Sequence, residues 1–159
     1  MAAGVTSYSF EELEIGQRAS LLRTVMAYDL TRFAEVSGDG NPVHLSDHFA
    51  AKTRFGQRIA HGMFTGSLIS ALIGTRLPGA GAVYLSQSFE FLAPVKIGDV
   101  IAASVEIAEL IPERRRARLH CECWVDATKV LSGDAWVSVP AKRGARTAAQ
   151  PKAQVAPAA

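Results

Sequence analysis

The chain has 159 residues, 48% of them hydrophobic and 20% charged, and this length and composition predict one globular domain. Its net charge of +2 is unevenly distributed, because four of the 17 basic residues lie in residues 141–159, where no acid occurs. Residues 1–140 therefore hold 13 basic and 15 acidic residues, a net charge of −2, and such a surface is not expected to bind nucleic acid.

The sequence also argues against a membrane-bound or exported protein. No apolar run reaches the roughly 18 residues that a membrane span needs. The N-terminus lacks the basic and apolar regions of a secretory signal. Cys121 and Cys123 are two positions apart, so on a strand they share a face as buried thiols rather than form a disulfide. We therefore expect a protein of the reducing cytoplasm with no membrane partner.

The first third of the chain predicts one strand and two helices. Residues 18–25 have the length and pattern of a strand. Residues 26–38 place apolar residues on one helical face and end at Gly38, a typical helix stop. Residues 46–53 predict a short second helix that begins after Ser46 as its N-cap.

Residues 62–74, GMFTGSLISALIG, form the most apolar segment of the chain. They contain no charge, and large apolar side chains fall on every side of the predicted helix. A helix of this kind must be enclosed by protein, and it is too short to cross a bilayer. Gly74 is expected to end it, and the sequence LPGAGA that follows is a turn signal.

The remaining part of the domain predicts strands, at residues 83–92, 100–108, 117–125 and 130–139. The second and third of these runs alternate apolar and polar residues, as in an antiparallel sheet with one face in water. The predicted class is α+β, with an antiparallel sheet wrapped around the central apolar helix. The domain is expected to comprise residues 1–140, and the basic, Ala- and Pro-rich tail over residues 141–159 to be disordered.

One segment, GDGNPVH at residues 38–44, is a candidate for catalytic chemistry. Two glycines and an Asn-Pro step predict an irregular turn there. Such a turn can bring Asp39 and His44 together, and an Asp–His pair can hold one water and exchange a proton near neutral pH. A helix cap followed by a plain turn fits the same residues, and the spacing alone favours that simpler interpretation. His48 and His120 are expected to be exposed.

The start of the apolar helix is a second candidate. The first amide groups of a helix lack acceptors and carry partial positive charge, so Gly62 can direct its N–H at a ligand oxygen. A helix entry in which His61 is a packing residue fits equally well. Ser67 and Ser70 share one face, and each hydroxyl either bonds to a carbonyl of the preceding turn or faces a pocket.

A metal site is not expected from this sequence. His44 and His48 are four positions apart, and Asp39 and Asp47 lie near them. However, His44 falls in the predicted turn, where helical spacing does not apply, and a third ligand at regular spacing is missing.

Taken together, four segments resemble the (R)-specific enoyl-CoA hydratases, the MaoC-like branch of the hot-dog fold. They are GDGNPVH at 38–44, IAHGM at 59–63, LPGAG at 77–81 and FLAPV at 91–95, the last followed by Gly98-Asp99. The resemblance covers nearly all of the predicted domain. It implies a hot-dog fold and a homodimer in which each central helix is wrapped by its own sheet.

The resemblance also implies an activity, the reversible syn hydration of trans-2-enoyl-CoA to (R)-3-hydroxyacyl-CoA without a metal or redox cofactor. Asp39 and His44 are then the catalytic pair that holds the water, although which of them accepts the proton stays open. The Gly62 N–H would bind the thioester oxygen. Ser70 would line the pocket as a hydroxyl.

Two features of the substrate follow from the same resemblance. The acyl chain is expected to run along the central helix, where the bulky Ile73 favours short chains. The anionic CoA needs local cations on a domain of net negative charge. Candidates between the catalytic turn and the helix start are Lys52, Arg54 and Arg58.

Three other functions are compatible with these motifs. The same site can dehydrate (3R)-hydroxyacyl groups on acyl carrier protein. Acyl-CoA thioesterases use the same fold, but they usually place their carboxylate elsewhere than in an Asp-x4-His turn. A non-catalytic acyl-CoA-binding dimer has little need for both Asp39 and His44.

Overall fold

The computed structural model describes residues 4–142, and within them six strands form one antiparallel sheet. The sheet has the order β1-β4-β5-β6-β2, and the short strand β3 also pairs with β6. The strands are β1 (Arg18–Thr24), β2 (Val83–Gln87), β3 (Glu90–Phe91), β4 (Val100–Ile111), β5 (Arg116–Val125) and β6 (Thr128–Ser138). The helices are α1 (Ala27–Ser37), α2 (Pro42–Leu45), α3 (Asp47–Ala50) and α4 (Gly62–Thr75), with 3-10 turns at Phe10–Glu12 and Pro112–Arg114.

The long strands β4 and β5 bury every second residue, because the side chains of a strand alternate between its two faces. Helix α4 packs on the buried face of the sheet, where it contacts β4, β1 and β5. The predicted α+β class, an antiparallel sheet with one apolar helix, is therefore confirmed. The buried side chains of the two strands are Ile101, Ala103, Val105, Ile107, Ala117, Leu119, Cys121 and Cys123.

Cys121 and Cys123 are both free thiols within this apolar layer. Burial raises the pKa of each thiol to about 12, so both stay protonated near neutral pH. The prediction of two buried thiols in place of a disulfide is confirmed.

Helix α4 departs from its prediction in one respect, because this chain encloses only one of its sides. The side that faces the sheet is buried and includes Phe64, Ile69, Leu72 and Ile73. The opposite side is uncharged but exposed, and it includes Met63, Ser67, Ser70, Ala71 and Gly74. The helix also continues past Gly74 to Thr75.

The segment before α3 is more regular than predicted. Pro42 occupies the first position of α2, where its missing N–H and fixed φ do no harm. The side chain of Asn41 caps this helix by accepting a hydrogen bond from the Val43 N–H at 3.2 Å. His44 therefore lies in a helical turn, and only residues 38–41 are irregular.

The helix predicted over residues 46–53 is shorter than expected. It comprises only Asp47–Ala50, and Ser46 is its N-cap, as predicted. The strand predicted over residues 83–92 is divided into β2 and β3. It breaks at Ser88, where the chain passes so close to Gly133 that a Cβ on that glycine would stand 1.8 Å from the Ser88 carbonyl oxygen.

Within residues 4–142 no helix has the length and hydropathy that crossing a bilayer requires. The predicted tail begins at Ala141, and its residues 143–159 lie outside the described part of the chain. At its start, the Lys142 N–H donates a hydrogen bond to a carboxylate oxygen of Glu11 at 2.9 Å.

Candidate active site

The turn that carries Asp39 is fixed by hydrogen bonds within itself. Gly38 ends α1 with a left-handed backbone, at a φ of 78°, which glycine adopts without strain. The Asp39 N–H donates to the Ser37 hydroxyl at 3.2 Å. The Asp39 carboxylate accepts a hydrogen bond from the Asn41 N–H, also at 3.2 Å, and this bond orients the side chain.

One ring nitrogen of His44 faces a backbone carbonyl, and the other faces Asp39. Its Nδ1 lies 2.8 Å from the carbonyl oxygen of Ile59. Its Nε2 lies 4.0 Å from Oδ2 of Asp39, so the two groups face each other without a direct hydrogen bond. The His44 side chain is 10% exposed and that of Asp39 is 51% exposed. The structure thus brings together the two residues that the sequence predicted as a catalytic pair.

His61 and Gly62 approach this pair from the start of α4. The Nε2 of His61 lies 3.0 Å from the backbone carbonyl oxygen of Asp39. The rings of His61 and His44 are stacked, with centroids 3.8 Å apart. Gly62 packs beneath the ring of Phe91, and a Cβ at this glycine would stand 2.9 to 3.3 Å from three of the ring atoms.

These residues line one cavity of about 450 Å³. Asp39, His44, Gly62 and Arg54 all contribute to its wall, so four of the predicted site residues meet at one place. Most of the remaining wall is apolar, which suits the acyl part of a thioester. It includes Phe55, Ile59, Met63, Phe91, Leu92, Pro94, Val95 and Val130.

The other predicted site residues lie elsewhere in residues 4–142. Ser70 is on the exposed side of α4, and Ile73 is buried against the sheet. Lys52 lies beside His48, with 2.8 Å between Nζ and Nε2, and the Nε of Arg58 lies 2.7 Å from Oδ1 of Asp47. None of the four lines the cavity in this part of the chain, and their proposed roles stay predictions.

Sequence reasoning did not single out several cavity residues. Phe91, Thr65 and Phe55 line the wall, yet single apolar or hydroxyl residues carry no signal of their own. Phe91 begins the FLAPV segment that carries part of the family resemblance, and this was the available hint. The bond from His61 to the Asp39 carbonyl joins residues far apart in sequence, and no local pattern predicts it.

Asp39, His44 and His61 place one potential ligand atom each within 4.8 Å of one another. In each histidine one ring nitrogen already faces a backbone carbonyl oxygen. His48 contributes nothing here, since it contacts Lys52. The arrangement fits hydrogen-bonding chemistry, and the expected independence from metal remains a prediction.

Comparison with known proteins identifies the family of this chain. A family model described as the MaoC like domain matches residues 11–123. The chain belongs to the MaoC-like family. Its similarity to proteins named as hydratases confirms the resemblance drawn from the motifs, and the chain has the hot-dog fold.

Three relatives of this MaoC-like chain are informative. A 3-hydroxybutyryl-CoA dehydratase of Methylorubrum extorquens is 58% identical over 136 residues, which are 86% of this chain and 87% of that protein. An (R)-specific enoyl-CoA hydratase of Rhodospirillum rubrum is 45% identical over 133 residues, 84% and 92% of the two chains. The unliganded R-hydratase PhaJ1 of Pseudomonas aeruginosa matches with a TM-score of 0.83 at 42% identity, over 88% of this chain and 90% of that one.

The MaoC-like domain has a second group of histidine and carboxylates, on the outer face of the sheet. His120 lies between Glu122 and Asp134, with Nε2 and Nδ1 at 3.2 and 3.5 Å from their carboxylate oxygens. Both acids also pair with cations, Glu122 with Lys129 and Asp134 with Arg118. The hydrogen bond from Lys129, followed by those from Trp124 and His120, lowers the pKa of Glu122 to about 2 against the opposing effect of burial.

Proposed function

We propose that this MaoC-like protein catalyses the reversible syn hydration of trans-2-enoyl-CoA to (R)-3-hydroxyacyl-CoA, with short acyl chains such as crotonyl. One observation carries the proposal. His44 Nε2 and Asp39 Oδ2 face each other across 4.0 Å at the wall of a largely apolar cavity. The relatives named for 3-hydroxybutyryl-CoA and for enoyl-CoA support the reaction class and the short chain.

The gap between the two side chains has the size for one water molecule. Hydrogen bonds of about 2.8 Å from one water to Asp39 Oδ2 and His44 Nε2 would meet at an angle of about 90°, somewhat narrower than the tetrahedral value of about 109°. Asp39 and His44 thus hold a water with its oxygen free to attack, which is the nucleophile that hydration needs.

His44 is the proton acceptor in this mechanism. Because the Ile59 carbonyl oxygen can only accept, the neutral ring carries its hydrogen on Nδ1 and a lone pair on Nε2. As the water oxygen bonds to C3, a water proton passes to Nε2 and the C2–C3 π electrons move toward the thioester. The same proton then passes from Nε2 to C2 on the same face, so one water is added in the syn sense.

Asp39 acts as a carboxylate throughout. It accepts a hydrogen bond from the second hydrogen of the water and so fixes the direction of attack. It also faces the imidazolium that forms at His44, and the two opposite charges attract each other. The reaction needs no cofactor besides the CoA of the substrate.

The charge that develops on the thioester oxygen is met by the start of α4. The N–H groups of the first helical turn have no acceptors within the helix, and the helix dipole makes their end of the helix positive. Gly62 is the first residue of α4 and lines the cavity. Its amide is therefore a preorganised donor for an enolate-like oxygen.

Among the cations that we proposed for CoA phosphates, Arg54 has the best support. It is exposed and lines the cavity, with its guanidinium 4.9 Å from the centre of the Phe55 ring. Arg58 is paired with Asp47 and Lys52 lies against His48, so each would have to leave its present partner to bind phosphate.

The test is hydration of crotonyl-CoA, followed by loss of the conjugated enoyl absorbance, beside the same acyl group on acyl carrier protein. Asp39→Asn is expected to lower kcat by about 10²- to 10⁴-fold, the typical contribution of a general acid or base. Asp134→Asn, which also removes a carboxylate beside a histidine, is the matched control and should stay within about twofold of wild type.

Other outcomes would reject hydration. Release of free CoA thiol, which hydration does not produce, would identify a thioesterase. Binding with neither thiol release nor loss of the enoyl band would identify an acyl-CoA-binding protein. Turnover only on the carrier-protein substrate would reject CoA as the carrier. For chain length, Ile73→Ala should extend activity from C4 toward C12 substrates, and an unchanged profile would remove Ile73 from that role.

We also propose that the protein works as a homodimer. Strand β2 is at one end of the sheet order, and its Val83, Tyr84 and Leu85 are 59%, 37% and 45% exposed. Such an edge offers unpaired backbone groups to a second copy of the chain. The uncharged side of α4, with Met63 at 55% exposure, needs the same cover. Ser70 lies on that side, so its role in the pocket depends on the second copy.

Sedimentation equilibrium tests the dimer. The wild-type protein should have twice the mass of the chain. Leu85→Lys, which adds a charge at the open edge, should weaken the dimer, whereas Leu22→Lys on β1 should not, although Leu22 is 74% exposed. A monomeric wild type with full activity would contradict the proposal.

The two free, buried thiols support a reducing compartment, and we propose the cytoplasm. We also retain residue 140 as the proposed end of the domain. A chain that stops at residue 142 should therefore melt at the same temperature as the full chain.

A further inference from the structure

His61 makes more contacts to the proposed catalytic pair than helix initiation requires. Its Nε2 is 3.0 Å from the backbone carbonyl oxygen of Asp39, and its ring stacks on that of His44 with centroids 3.8 Å apart. Its ring also packs against that of Phe33, with 5.0 Å between centroids. His61 therefore touches the backbone of one member of the pair and the side chain of the other.

The second nitrogen of His61 shows that packing alone does not explain this residue. Nδ1 is buried and has no hydrogen-bond partner in residues 4–142, and the residue as a whole is 2% exposed. Leaving a buried polar atom without a partner costs about 1–3 kcal/mol. A phenylalanine would contact Phe33 and His44 without that cost, but it would lack the hydrogen bond that Nε2 makes to the Asp39 carbonyl oxygen.

That other nitrogen has a defined protonation in the neutral ring. The Asp39 carbonyl oxygen can only accept a hydrogen bond, so Nε2 carries the hydrogen and Nδ1 keeps the lone pair. His44 has the opposite arrangement, with its hydrogen on Nδ1 and its lone pair on Nε2. The two stacked rings therefore use opposite nitrogens to bind backbone carbonyls, and only His44 directs a lone pair toward Asp39.

We propose that His61 is a positioning residue, whose Nε2–H ties the carbonyl of Asp39 to the start of α4 and whose ring supports that of His44. The proposal rests on the catalytic roles of Asp39 and His44. Through this bond the water-holding carboxylate and the Gly62 amide are fixed relative to each other, although they come from different segments. Addition at C3 and charge development at the thioester oxygen happen in one step. The Asp39 carboxylate and the Gly62 amide must therefore be correctly placed on the substrate at the same time.

Three substitutions separate the donor from the ring. His61→Gln places an amide nitrogen near the position of Nε2 and keeps the donor without the ring. His61→Phe keeps the ring without the donor. His61→Asn places its amide nearer the position of Nδ1 and keeps neither. His48→Phe, at an exposed histidine outside the cavity, is the control for loss of a histidine as such.

The measurements are kcat and KM for crotonyl-CoA hydration, together with the melting temperature of each variant. We expect His61→Gln to retain kcat within about fivefold, and His61→Phe and His61→Asn to lose about 20- to 100-fold, in line with the cost of misplacing a reacting group by about 1 Å. KM should stay within about threefold, because His61 positions groups for the reaction and does not hold the CoA.

Two results would overturn the proposal. One is a His61→Phe variant with wild-type kcat, which would make His61 a packing residue. The other is an equal loss of kcat in all three variants that follows the loss in melting temperature. If His61→Phe does not fold, the comparison of Gln with Asn decides, because only Gln restores the donor. Asp39→Asn is assayed in parallel, and its full activity would instead reject the catalytic pair itself.

Discussion

The domain places histidine beside carboxylate in two regions, and the regions differ in what occupies the space between them. In the cavity, His44 and Asp39 are 4.0 Å apart, and each is anchored from behind by the backbone. On the outer face of the sheet, His120 lies 3.2 Å from Glu122, and the acid also binds Lys129. The first pair is open toward a ligand, and the second is already neutralised by its neighbours.

This difference separates a reactive pair from a structural one better than residue type does. Both pairs combine an imidazole with a carboxylate, and both lie on regular elements or next to them. Only the pair in the cavity keeps a lone pair and a carboxylate oxygen free to bind the same water. The pair on the sheet belongs to a network of exposed ions, in which each contact contributes at most about 1 kcal/mol.

Removing each histidine should give the largest contrast. His44→Ala is expected to lower kcat for crotonyl-CoA by about 10²- to 10⁴-fold, since it removes the proton acceptor. His120→Ala should leave kcat within about twofold and change the free energy of unfolding by less than about 1 kcal/mol. Steady-state kinetics and urea denaturation measure both quantities. Similar losses of kcat in the two variants would erase the distinction between the pairs.

A second contrast compares two glycines of α4 that lie beneath aromatic rings. A Cβ at Gly62 would meet Phe91 at 2.9 Å, and a Cβ at Gly66 would meet Phe89 at 2.7 Å. Both alanine variants should lose about 1–3 kcal/mol of stability through overpacking. Only Gly62→Ala should also lower kcat, by about 100-fold, because Gly62 lines the cavity and Gly66 does not. An equal kcat for both variants would remove the Gly62 amide from the mechanism.

A third contrast concerns cations near the cavity. Arg54→Ala should raise KM for crotonyl-CoA about fivefold with little change in kcat, which corresponds to about 1 kcal/mol for one exposed charge pair. Arg58→Ala removes a guanidinium that is already paired with Asp47, so it should raise KM by less than about twofold. The reverse order would assign the phosphate contact to Arg58.

The smallest effect is expected on the outer face, from acid. The folded pKa of Glu122 is about 2, below its ordinary value of 4.5. The stability that the ionised Glu122 carboxylate contributes to the fold is therefore fully present above pH 4.5 and is lost as pH falls toward 2. Chemical denaturation at several pH values should show that the free energy of unfolding falls less steeply with acid in Glu122→Gln than in wild type. Identical slopes would mean that Lys129 does not hold this carboxylate in solution.

Much of this fold was predictable, because strand alternation and helix hydropathy are local properties. The alternation at residues 100–108 and 117–125 predicted the buried face of the sheet, and the uncharged run at 62–74 predicted α4. The elements that were misjudged depend on contacts or caps. The predicted strand breaks at Ser88, which packs closely against Gly133, and Asn41 with Pro42 turns a predicted irregular segment into α2.

The main residues of the site, Asp39, His44 and Gly62, could be predicted only from several motifs taken together. Spacing alone did not favour a reactive Asp39–His44 pair over a helix cap and turn. What the sequence could not show was the space around them, such as the ring of Phe91 over Gly62 and the carbonyl partners of His44 and His61. These contacts join segments that meet only after folding, and neither periodicity nor spacing encodes them.

The contact between Gly62 and Phe91 also constrains how such a site can change by mutation. A side chain at position 62 meets the Phe91 ring, so a larger residue there costs less stability once position 91 has become smaller. The reverse order is open, because a smaller residue at 91 leaves the glycine and its amide untouched. Mutations that enlarge the cavity for bulkier acyl groups should therefore begin on β3. Libraries that vary position 91 first should yield more active variants than libraries that vary position 62 first.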